Sequence, residues 1–171
     1  ARDQMVLDRL QLIAQIRETE FKIIESQIEQ YDYNRDKLNT RISQLEYKAD
    51  DTARRAGKTS DSKEWRKYMR QAKASKEQQL AIQREQVAYI EKTLAADAKR
   101  SPGNRMNQVH RVQLQDTLRE AQEQVVSLRR AVDEAENAIV SSRVNQSLTE
   151  IDKALEKIEK QQTLLEHQKS F

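Results

Sequence analysis

The stretch "LDRLQLIAQIRETEFKIIESQIEQYDYNRDKLNTRISQLEYKA" (residues 7–49) decides the fold. Leu7, Leu10, Ala14, Arg17, Phe21, Ile24, Ile28, Tyr31, Arg35, Leu38, Ile42, Leu45 and Ala49 follow one another at alternating intervals of three and four. A helix of 3.6 residues per turn gathers these positions into one stripe, the pattern of a helix that packs along its length against another. Arg17 and Arg35 interrupt the apolar seam. A guanidinium there is costly unless it is paired or reaches water along its aliphatic stem, and such residues can select register. The pattern ends before Gly57, a natural C-terminal stop. Ser60 or Asp61 can cap the next helix, with Glu64 at the capping-box spacing from Asp61.

Composition extends this reading to the rest of the chain. Two Gly and one Pro in 171 residues leave little material for loops. With 36% hydrophobic and 35% charged residues, the balance is that of long helices rather than of a compact globule. The net charge of +3 is too small to imply a polyanionic partner by itself. Absence of cysteine excludes disulfides and thiolate metal sites but fixes no compartment. Uninterrupted apolar runs are only a few residues long, whereas a membrane-spanning helix needs about 20. The chain therefore reads as soluble, with no transmembrane segment or signal peptide visible and its localisation open.

A second helical segment, about 62–100, carries Leu80, Val87, Ile90 and Leu94 in register, with Gln83 in the gap. Extended backwards, this register puts Lys76, Lys73 and Arg66 on the seam, which a packed core is expected to refuse. "KRSPGNR" (99–105) is the clearest turn, with Gly103 and Asn104 able to take positive φ. A third seam follows in Leu114, Leu118, Ala121, Val125, Leu128, Val132, Ala135 and Ile139. The last series is Val144, Leu148, Ile151, Leu155, Ile158, Gln162 and Leu165, two residues out of phase with the third. A slip of two is neither of the usual heptad discontinuities. Together with the capping-box spacing of Ser147 and Glu150, it predicts a break near 141–147, a kinked continuous helix being the alternative. The expected fold is all-α: an elongated antiparallel coiled-coil hairpin or bundle of three to four long helices. Residues 1–100 would form a long hairpin bent at 57–61, and 101–171 the second helical part of one elongated unit.

Catalytic constellations are not legible. "GKTS" (57–60) resembles the end of a phosphate-binding loop, but Thr52 stands where that motif needs its first Gly, and a heptad helix precedes it instead of a strand. His110 and His167 have no metal-ligand spacing around them, and Glu-x-x-His does not occur. The chain reads as a non-enzyme that takes no cofactor, metal or small-molecule substrate.

What stands out chemically is charge. Nine basic residues and only Asp61 and Glu64 lie between Arg54 and Lys76. Arg54, Arg55, Lys58, Lys63, Arg66, Lys67, Arg70 and Lys73, with Trp65 and Tyr68, are the candidate partner-binding residues. Lys63, Arg66, Lys67, Arg70 and Lys73 recur at helical spacing as one stripe. A solvated bend is the plain alternative. Among anionic partners an acidic protein requires the fewest assumptions, since Trp, Tyr, Met and Arg are typical interface anchors. The expected function is that of a structural or adaptor protein, binding partner proteins through helical seams and this basic patch, with self-association through the seams as a further use. A peripheral membrane or nucleic-acid binder is an alternative, distinguished by steep salt dependence. In length and architecture alone, without a shared motif, a cysteine-free helical hairpin of this size is similar to the small stalk proteins of type III export ATPases. That resemblance implies, as a further alternative, a stalk-like part of a secretion or rotary machine.

Overall fold

The computed structural model describes residues 1–55, 57 and 60–170. The chain is all-α, with α1 (Arg2–Asp36), α2 (Leu38–Arg55), α3 (Lys63–Ala98), a 3-10 turn (Pro102–Asn104) and α4 (Gln108–Lys169). Among the described residues there is no strand. α1 and α2 are one bent helix joined at Lys37, so the chain forms three long helical stretches. Two compact units divide it, residues 1–40 with 75–131 and residues 41–74 with 132–171. All three boundaries cut through helices, whereas the sequence division falls in the turn at residue 100.

In the first unit Ile28 of α1, Ile90 of α3, and Leu114 and Ala121 of α4 form the core, with Val87, Leu94 and Leu118 packed against it. All seven are seam positions of the heptad reading. Contacts run antiparallel, α1 to α3 from Arg35–Gln83 to Glu20–Arg100, and α3 to α4 from Gln83–Ala121 to Asp97–Arg111. α3 has a neighbour on each side here, so it must bury a face wider than a two-helix seam. It does so with amides. Gln79 Nε2 donates to Arg35 O at 3.0 Å and to Asn39 Oδ1 at 2.7 Å. Gln83 Nε2 donates to Gln86 Oε1 at 2.7 Å and to Ala121 O at 3.2 Å. Gln86 Nε2 donates to Ile28 O at 3.1 Å and to Asp32 Oδ1 at 2.8 Å.

Arg35 is the paired seam cation the sequence calls for, bonded to Asp32, Asp36 and, at 2.5 Å, Gln83 Oε1. Gln79 Nε2 adds a side-chain donor to the Arg35 carbonyl just before the junction at Lys37. Arg17 is only half-buried, and its Nε is enclosed without a partner. Leu7 and Leu10 depart from the continuous seam expected of them, being exposed like every residue before Ile13. The reason is length: the α1–α3 pairing ends at Glu20–Arg100, and the chain then turns at Ser101.

The turn is held by Asp97, which accepts from Met106 N at 2.9 Å and Arg111 Nη2 at 3.3 Å. Asn107 Oδ1 accepts from His110 N at 2.8 Å and caps α4, and the His110 ring stacks on Phe21 at 3.8 Å. Gly103 and Asn104 do not use positive φ. The turn closes as a 3-10 helix through Asn104 N to Ser101 O at 2.9 Å.

In the second unit the buried apolar residues are Ile42, Leu45 and Ala49 of α2, Trp65 and Ala72 of α3, and Ala135 and Ile139 of α4. Gly57, at φ +60°, follows α2 as expected. The cap of α3 differs from the expected Ser60 or Asp61. It is Ser62, whose Oγ accepts from Trp65 N at 3.2 Å, while the Ser60 carbonyl is taken by Ser142 Oγ at 2.6 Å.

The break near 141–147 does not exist: α4 is helical from Gln108 to Lys169. No Gly or Pro lies within those bounds, and the Thr149 hydroxyl bonds back to Asn145 O at 3.0 Å inside the helix instead of helping a new one to begin. At 100° per residue, a two-residue slip in a continuous helix rotates its apolar face by about 200°. α4 thus carries its two apolar stripes on nearly opposite sides.

Gln83, 1% exposed, tests the amide seam. Gln83→Ala leaves Arg35 Nη1 short of an acceptor and opens a void, so urea unfolding should show a loss of about 1–3 kcal/mol. An unchanged midpoint would contradict the amide account.

Candidate partner-binding surface

Helical geometry separates the candidate cations into two groups. Arg54 and Arg55 end α2 with exposed side chains, both near Asp51, at 3.7 and 3.1 Å. On α3, Lys63, Lys67 and Arg70 are exposed and Tyr68 is half-buried. Lys58 lies outside the described residues.

Arg66 turns inward, and this corrects the single exposed stripe expected from spacing. It is 4% exposed and donates to Asp61 O at 3.1 Å, Ser142 Oγ at 3.1 Å and Gln146 Oε1. Trp65 is buried too, its indole N–H donating to Asp50 Oδ1 at 3.3 Å. Lys73 is half-buried on Glu136 at 2.6 Å. The lysine's hydrogen bond and charge hold the Glu136 carboxyl below the usual carboxylate range. Because that pKa is depressed on folding, the pair's small contribution is present at neutral pH and is lost as pH falls through the folded value.

The seam therefore accepts Arg66 and Lys73, because α4 meets them with polar groups. A signal for this was present in the sequence. Ser142 and Gln146 occupy the positions that the phase of Leu114–Ile139 demands next, so a polar gap on α4 faces a cation on α3. What remains exposed on α3 is a narrower basic surface of Lys63, Lys67 and Arg70, beside Arg143 of α4, which lines the same shallow groove as Lys63 and Arg70.

The second surface is apolar, and sequence reading alone did not assign it to partners residue by residue. From Arg143 to Ser170 every residue except Gln146 is exposed. Val144, Leu148, Ile151, Leu155, Ile158 and Leu165 each stand about half exposed, on the face rotated away from Ser142 and Gln146. Monomeric proteins rarely leave so regular an apolar stripe uncovered.

Among the described residues no group of three or more His, Asp or Glu side chains is placed to hold a metal ion, and no helix is long and apolar enough to cross a membrane. Compared with known proteins, the chain matches no family model and no solved structure.

The inward and outward cations should behave differently. Arg66→Ala removes charge-assisted bonds from a buried site and should cost about 1.5–3 kcal/mol in chemical unfolding. Lys67→Ala, on the open face, should stay within about 0.5 kcal/mol. Equal effects of the two substitutions would show that Arg66 is not structural.

Proposed function

We propose that this chain is a non-catalytic structural or adaptor protein that recruits partner protein helices. The supporting observation is the half-exposed heptad stripe from Val144 to Leu165, carried on the side of α4 opposite its intramolecular face. Most of the stability of a helix comes from packing an amphipathic face. A helical segment with 27 of its 28 residues exposed between Arg143 and Ser170 has that packing still to make. The exposed Lys63, Lys67 and Arg70 supply a second, electrostatic contact and favour a partner with acidic groups.

The two contacts separate by salt. Association through the apolar stripe persists at high ionic strength, whereas attachment through the basic face alone weakens steeply with it. A photoreactive side chain at Leu155, introduced in cells that make the protein, should cross-link to a protein chain. The same group at Lys160, on the opposite face of the helix, should not. No adduct from either position, or equal adducts from both, would overturn the reading.

A further inference from the structure

We infer that the occupant of the Val144–Leu165 stripe is the same segment of other copies of this chain, aligned in parallel. This rests on the preceding reading of the stripe as a partner seam and names the partner. The 3-4 spacing fixes the heptad letters: Leu148 and Leu155 stand at a, Ile151 and Ile158 at d. Positions e and g flank the seam and set partner and orientation. Position e is Asn145 at the start of the stripe and acidic from there on, as Asp152, Glu159 and Glu166, while the g positions Ser147, Ala154 and Gln161 are neutral.

Parallel pairing of identical helices sets each g against the e that follows it on the neighbour. The contacts are then Ser147 with Asp152, Ala154 with Glu159, and Gln161 with Glu166, with no like charges opposed. Antiparallel pairing sets e against e, acid against acid. The cations Lys153 and Lys160 stand at f, away from either arrangement.

The a-position Gln162 supports a self-partner. An amide is both donor and acceptor, so it is satisfied by its own copy across a parallel, in-register layer, and a single polar layer of this kind fixes register. Leu at a with Ile at d favours three or four strands over two.

The test uses the purified full chain. Sedimentation equilibrium should give a multiple of the 20.0 kDa chain mass, and Ile158→Asp should return it to a single chain. In this cysteine-free sequence Gln162→Cys should oxidise to a disulfide-linked pair, and Lys160→Cys should not. A monomeric wild type, a multimer indifferent to Ile158→Asp, or failure of Gln162→Cys to link would each overturn the inference. Should the wild type be monomeric while the Leu155 photoadduct contains a different protein, self-pairing falls and the partner-seam reading stands. With a monomer and no adduct, both fall.

Discussion

A helix with a neighbour on each side must satisfy both, and α3 meets that constraint with polar side chains. Gln79, Gln83 and Gln86 reach carbonyls and side chains on α1 and α4 in the first unit. Arg66 does the equivalent toward α4 in the second. A buried amide or guanidinium is tolerable only when its hydrogen bonds are made, so each of these residues accepts one arrangement of its neighbours and penalises others. Leucines at the same places would slide with little cost. This same network reaches the junction at Lys37, where Gln79 donates to the Arg35 carbonyl.

The architecture was readable because few competing signals exist. Seam residues such as Ile28, Ile42, Leu45, Ile90, Leu114 and Ile139 are buried where the 3-4 spacing places them. The turn at Ser101–Asn104 and the stop at Gly57 follow from Pro and Gly, which occur in the sequence at those two places alone. What the spacing concealed was the second neighbour of α3. A heptad template assigns one partner per helix, so it leaves Gln79 and Gln86 off the seam and makes Arg66 look misplaced on it.

The candidate site was half legible for the same reason. Charge density singles out residues 54–76, but density does not distinguish a cation bonded inward from one facing water. Arg66 and Lys67 are adjacent in sequence, yet Arg66 faces Ser142 and Gln146 while Lys67 is exposed. The slip of two residues in α4 was visible as a number and given the wrong cause. Read as a break, it ends a helix. In a helix without Gly or Pro it turns the apolar face to the other side.

That change of face is the central claim, because the partner surface follows from it. Single nitroxide side chains placed in turn from Ala135 to Ile158 test it directly, and the absence of native cysteine makes each label unique. In a chain kept monomeric, mobility should keep a helical period of 3.6 residues through 141–147. Labels at Ile139 and Ser142 should be immobile, and those at Val144, Leu148, Ile151 and Leu155 mobile. Loss of the period at 141–147, or immobile labels at Leu148 and Leu155 in the monomer, would contradict it.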